Sequence, residues 1–205
     1  MPSIEYDAPR ALSLARADRA LLDAYYTQRN TRFAGRSGIL EFCCGVTGGS
    51  DWLAEGGPMT IADLSAPQLI AARDRLNAKS FTRATLTLLG NRTDIDALPC
   101  CDLLYCALTT RTAPPTVLVR MLGLLLSKVL SGGAALLHLP TQHRHYQLML
   151  QDAQDLRDLN VIPQWTLFEL FEALQFSIVL VQENAILRAS DIVYHSMLVQ
   201  RRDLL

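Results

Sequence analysis

GILEFCCGVTGGSDWLAEGGPMTIADLSAPQLIAARDRL, residues 38–76, carries the order of elements on which the reading of this chain turns. Gly38 to Phe42 is a short apolar run of strand character, and a Gly-rich turn from Gly45 to Gly49 follows it. Ser50-Asp51 offers a cap for a short helix through Ala54. Met59 to Ala62 reads as a second strand that ends in Asp63. Ser65 is then the expected N-cap of a helix running to about Lys79, with Pro67 in its first turn. Strands and helices alternating at such short intervals argue for a parallel sheet covered by helices.

Outward from this stretch the alternation continues. Residues 8–30 predict one helix or two short ones, with Leu14, Ala17, Leu21 and Ala24 at helical spacing. Thr85 to Leu89 is a third strand, rich in β-branched residues, and Leu103 to Cys106 a fourth. Pro114 and Pro115 open a long apolar helix, with Ser131-Gly132-Gly133 as its expected stop, and Ala134 to Leu139 is a fifth strand. Pro163 to Leu174 is helical, and Ser177 to Gln182 and Val193 to Gln200 are the closing strands. The link between those two is too short for a crossover helix, so the final strand is expected antiparallel to its neighbour. One domain over residues 1–205 follows, with a helical segment at 1–36 and the sheet-bearing core at 37–205.

Composition narrows the partners. Half of the 205 residues are apolar, enough for a sizeable core, and the formal net charge is -1 with both signs spread along the chain. No basic field suits nucleic acid and no polybasic segment suits an anionic membrane. Val117 to Leu130, the most apolar stretch, is interrupted by Arg120 and Lys128 and is too short to cross a bilayer. MPSIEYDAPR lacks the pattern of a secretory signal, so a soluble cytoplasmic protein is expected. The five cysteines, Cys43, Cys44, Cys100, Cys101 and Cys106, have no CxxC spacing. Buried thiols are expected rather than disulfides or a metal site.

In open α/β sheets ligands bind beyond the carboxyl ends of the strands. Three segments leave strands there: Glu41 to Gly49, Asp63 to Ser65, and Gly90 to Asp94. A Gly-rich turn opening a helix presents backbone N–H groups to a carboxylate or phosphate. An acid ending the second strand suits the two hydroxyls of a ribose. Together they describe an adenosine-containing cofactor.

On these residues the chain resembles the class I S-adenosylmethionine (SAM) dependent methyltransferases. ILEFCCGVTGG is similar to the first family motif, an acid two residues before a G-x-G-x-G turn, and TIADLSAPQLIAAR to the second. CDLLYC is similar to the fourth-strand motif, and LLSKVLSGGAALLHLPT to the helix, turn and fifth strand. The segment from Ile162 to Arg202 resembles the closing helix and strands of the bacterial small-molecule and sugar methyltransferases. The resemblance covers roughly residues 38–202 and rests on the order and spacing of the motifs. It implies a Rossmann-like fold with a mostly parallel seven-stranded sheet, an antiparallel last strand and helices on both faces.

It also implies residue roles. Glu41, Cys43 and Gly45 would line the methionine and ribose end of SAM, Asp63 would hold the ribose hydroxyls and Leu64 would touch the adenine. Asn91, Arg92 and Thr93 would lie along the adenine edge, and Cys106 near the transferred methyl group. Thr112, His143 and Tyr146 are the candidate acceptor-binding residues, and His143 the candidate base, because an imidazole titrates near neutrality. The chain departs from the family where Cys43 and Thr47 replace the first and third Gly of the turn, and where Thr110, Arg111 and Thr112 replace a Leu-Gln-His segment. A side chain at such a position occupies space that a ligand would use.

For several of these residues a plainer role competes: a helix cap for Asp63, a strand-end hydrogen bond for Glu41, small apolar filling for Cys43 and Cys106. His138 is expected to be a satisfied structural histidine, while His143 and His145 are expected on a polar loop. Trp165, Phe168 and Phe171 fall near helical spacing and are expected to pack into the core, with a seam against a second subunit as the alternative. The expected function is methyl transfer from SAM to a small-molecule acceptor, with oxygen as the target atom, as in an O-methyltransferase. The alternative is a non-catalytic subunit that supports or activates a partner, in a homo- or hetero-oligomer.

Overall fold

The structure, a computed structural model, describes residues 8–42, 50–79, 81, 84–107, 114–143, 161–187 and 192–203. Along the chain these form α1 (Ala8–Gln28), β1 (Ile39–Phe42), α2 (Ser50–Leu53), β2 (Met59–Asp63), α3 (Ala66–Ala78) and β3 (Ala84–Leu88). They continue as α4 (Arg92–Asp96), β4 (Cys101–Ala107), α5 (Pro115–Leu126), β5 (Val129–His143), α6 (Gln164–Ala173), β6 (Phe176–Glu183) and β7 (Ile192–Arg201). The strands make one sheet of order β3-β2-β1-β4-β5-β7-β6. β1 pairs parallel with β2 and β4, β2 with β3, and β4 with β5. β7 runs antiparallel to β5 and β6 and is inserted between them. The short link after β6 allows only this return, as its length predicts.

Side-chain alternation along the strands separates two cores. Leu40, Phe42, Leu104, Cys106, Ala135 and Leu137 pack with α5 and α6 on one face. Ile39, Ile61, Leu103, Tyr105 and Leu136 pack on the other with Leu22, Tyr25 and Tyr26 of α1, Trp52 of α2 and Leu69 of α3. An aromatic chain crosses that second face, Tyr26–Phe33–Trp52–Tyr105, with ring centroids 6.2, 5.5 and 5.9 Å apart. Burial of each large side chain contributes about 1.5–3 kcal/mol, which makes the two seams the main source of stability.

Four expectations are corrected. The buried stripe of α1 is Ala11, Leu14, Asp18, Leu22, Tyr25 and Tyr26, whereas Ala17 and Ala24 face solvent. A charged residue at the centre of the stripe hides it from a count of apolar positions. α5 ends at Leu126, well before the Ser-Gly-Gly turn. Ser127 Oγ bonds Leu124 O at 2.6 Å, and Val129 already pairs with Cys101, so the chain turns directly into β5. Gly132, at φ +72°, then lies in a register irregularity between β4 and β5, where left-handed backbone costs glycine little. β5 is also longer than predicted and reaches His143, whose main chain pairs with Ile192, so His143 belongs to a strand and not to a loop. Finally, Phe171 is buried, but Trp165 is 64% exposed and Phe168 38%. α6 covers the sheet edge with one face only, through Leu167 and Phe171.

Candidate active site

The carboxyl ends of β1 to β5 form one rim of the sheet. Glu41 is the register partner of Ile61 and Tyr105, and it is fully buried. Asp63 stands one strand over, about 4.8 Å, and two residues further along, about 6.6 Å. By alternation both acids point to the face that carries α1, α2 and α3. Asp63 is 6% exposed and its Oδ1 accepts a hydrogen bond from Ser65 N at 2.9 Å. Ser65 holds the N-cap position of α3 but makes no side-chain cap bond, so the capping task falls to Asp63. The helix-cap role does not by itself exclude a ligand role, since each carboxylate oxygen can accept more than one hydrogen bond. Leu64, next in the chain, is 48% exposed, an apolar surface beside a buried acid.

Asn91, Arg92 and Thr93 are exposed and begin α4, a helix the sequence reading did not include. Asn91 is its N-cap: Oδ1 accepts from Asp94 N at 3.2 Å, and Asp94 Oδ2 accepts from Asn91 N at 3.0 Å and from Gly90 N at 2.7 Å. Arg92 pairs on the surface with Asp96 at 3.4 Å. This reciprocal cap shapes the turn after β3 and presents it at the rim.

Cys106, near the end of β4, is fully buried on the α5 face, and burial raises its thiol pKa well above the ordinary value. Cys101 is likewise pushed up to about 12, first by burial and then by Cys100 and Asp102. Among the described residues no group of His, Cys, Asp and Glu is placed to hold a metal ion. Cys43, Gly45, Thr112 and Tyr146 lie outside the described residues, as does the side chain of His143.

Two polar clusters that the sequence reading did not assemble stand on the β5–β7 side. Thr141 Oγ1 and His195 Nδ1 are 2.6 Å apart. Partial burial lowers the pKa of His195, opposed by the charge of Glu183, its register partner on β6. The second cluster is buried. His138 Nε2 lies 2.9 Å from Asp18 Oδ2, Tyr105 Oη donates to the same oxygen at 2.8 Å, and His138 Nδ1 lies 2.9 Å from Ser196 Oγ. Asn184 Nδ2 donates to Ser196 Oγ at 2.8 Å, and Asn184 Oδ1 accepts from Ile186 N and Leu187 N. His138 is thus the satisfied histidine expected, with partners that only the fold supplies. The one local signal was Asp18, a carboxylate in the middle of an apolar helical stripe.

The order Asp18–His138–Ser196 has the connectivity of a nucleophilic relay, but Ser196 is buried and its oxygen already accepts from Asn184. It has no room to attack a substrate, so the cluster acts on structure.

No protein-family model matches the chain, and no curated protein sequence does. Solved structures do match. Magnesium protoporphyrin IX methyltransferase from Synechocystis PCC 6803, solved with SAH bound, superposes with a TM-score of 0.69 at 13% identity, over 98% of this chain and 90% of that one. The N-methyltransferase NodS from Bradyrhizobium japonicum WM9 gives 0.66 at 13% identity, over 96% and 99%. An O-methyltransferase family protein from Burkholderia thailandensis gives 0.63 at 15% identity, over 94% of this chain and 58% of that one. At these identities the likeness is one of fold. The chain has the Rossmann-like methyltransferase fold, with its seven-stranded sheet and single antiparallel strand.

Proposed function

We propose that this chain is a SAM-dependent methyltransferase acting on a small-molecule acceptor, with an oxygen atom as the methyl target. The observation that carries the reading is buried Asp63 at the end of β2, on the same face and rim as buried Glu41, with exposed Leu64 next to it in the chain. In this reading the carboxylate of Asp63 accepts from the ribose hydroxyls, and Leu64 lies against the adenine. Glu41, Cys43 and Gly45 line the methionine and ribose end, and Asn91, Arg92 and Thr93 border the adenine. Cys106 contributes through its main chain, because its thiol is packed into the core. The described residues fit the group: a desolvated acid beside an apolar shelf matches a sugar attached to a base.

When bound, SAM supplies a methyl group activated by its sulfonium. The chain's part is to hold the acceptor in line, and alignment of this kind accounts for the larger share of rate in such transfers. Thr112 and Tyr146 are assigned to the acceptor, and His143 takes the proton from its hydroxyl. His143 lies on the part of β5 that extends past the end of β4, which supports this assignment.

Cys43 and Thr47, where the family has glycines, favour a second reading, a non-catalytic subunit of the same fold. Calorimetric titration of the purified chain with SAM and SAH separates the two. Micromolar binding supports the enzyme and warrants an acceptor screen. No heat at millimolar SAH removes the enzyme reading for the isolated chain.

A further inference from the structure

The buried cluster around Asp18 joins α1 and β4 to β5, β7 and the β6–β7 link. Tyr105, which donates to Asp18, stands edge-on to Trp52 of α2, with centroids 5.9 Å apart and planes at 90°. α2 is the helix that follows the Gly-rich turn. One residue along α1, Arg19 pairs with Glu55, just after α2, at 2.8 Å. At the other end of the cluster Asn184 accepts two main-chain bonds from the β6–β7 link. That link supplies Leu187 to a small apolar cluster with Leu14 of α1, Val161, and Ile192 and Tyr194 of β7, beside the end of β5. The chain Trp52–Tyr105–Asp18–His138–Ser196–Asn184 therefore spans from α2 to the β6–β7 link.

Its hydrogen bonds are directional and mutually consistent. With the imidazole proton on Nε2 donated to Asp18, Nδ1 accepts from the Ser196 hydroxyl, whose oxygen accepts from Asn184. A carboxylate buried in an apolar stripe is costly unless such donors are in place, and they are in place for only one seating of α1. An apolar residue would fill the same space without selecting that seating.

We propose that Asp18 and His138 form a buried positioning pair for the methyl-transfer site, fixing α2, which follows the Gly-rich turn in the chain, relative to the β6–β7 link. The proposal rests on the reading of this rim as a SAM site, and its test keeps the two separable. Trp52 is a local reporter: Trp165 is largely exposed, so a Trp165→Phe background leaves Trp52 as the single tryptophan. In that background Asp18→Asn, Asp18→Leu and Tyr105→Phe are compared by Trp52 emission, far-ultraviolet circular dichroism and calorimetry with SAH.

The expected result is a retained dichroism spectrum throughout, with Trp52 emission red-shifted and SAH affinity lower by roughly tenfold or more in Asp18→Leu, and values near the parent in Asp18→Asn, whose amide oxygen still accepts from Tyr105 and His138. Rescue by Asn and not by Leu distinguishes positioning from filling of space. Parent-like emission and affinity in Asp18→Leu overturns the proposal. If the Asp18 variants do not fold, Tyr105→Phe, which removes a single hydroxyl, decides by the same two readouts. If the parent chain does not bind SAH, the methyltransferase reading fails, and the emission comparison alone decides whether the pair positions α2.

Discussion

Replacing Asp63 separates a structural task from a ligand task within one carboxylate. Oδ1 holds Ser65 N at 2.9 Å, which secures the first turn of α3. Losing a helix-start bond of this kind costs about 1 kcal/mol. In a chain of this size that lowers Tm by roughly 2–4 °C. In the proposed complex the carboxylate also accepts from ribose hydroxyls, and hydrogen bonds to a charged group are each worth about 1.5–3 kcal/mol. Asp63→Ala is therefore expected to lower Tm by those few degrees and to weaken SAH by at least roughly 100-fold. Asp63→Asn keeps an oxygen for Ser65 N, so Tm stays near the parent value while SAH affinity falls by roughly tenfold or more. Thermal melts and calorimetry on the three proteins measure both effects. An Asn variant that binds SAH within about threefold of the parent refutes the assignment of Asp63 to the cofactor.

Other expectations test other parts of the molecule. Phe171→Ala empties a buried position in the α6 seam and should cost about 3–5 kcal/mol in urea unfolding, whereas Trp165→Ala, at an exposed site, should stay within about 0.5 kcal/mol. A lack of contrast between the two would contradict the packing of α6. Among the described cysteines, Cys100 should react with a thiol reagent in the native protein, while Cys101 and Cys106, buried and with raised pKa values, should react only on unfolding. Peptide mapping after brief labelling reads this directly. Because the pKa of His195 is lowered in the fold from 6.5, the unfolded chain binds the proton more readily. Its contribution is thus present above about pH 6.5 and is lost as the pH falls through the lower folded value. His195→Gln should flatten that part of the stability profile in denaturant titrations, and a profile parallel to the parent's would count against the burial of the imidazole.

The positions of most strands were legible because they are short apolar runs bounded by Gly, Pro or a cap, and such signals are local. The antiparallel last strand was legible from link length alone. Asp63 and Glu41 stood out because they stand at or next to the ends of strands, and the structure places both at the rim. The helix α4 escaped notice because it is five residues long and its signal is a reciprocal Asn91–Asp94 cap, not a periodicity. The end of α5 was misplaced because Ser131-Gly132-Gly133 resembles a helix stop. In the fold Val129 is already claimed by Cys101, and the glycine accommodates a strand irregularity instead.

What the sequence by itself determined is the sequence of elements, the parallel sheet with its returning strand, and the rim where two acids gather. Periodicity, caps and link lengths act over a few residues and are written in the order of the letters. What only the tertiary structure decided is the partnership of buried polar groups. Asp18 meets Tyr105 across 87 residues and His138 across 120, and neither partner marks the other in the chain. A carboxylate within an apolar stripe reads as a misfit until its donors arrive from distant strands. Burial without partners is prohibitive, and only the packed sheet brings the partners to it.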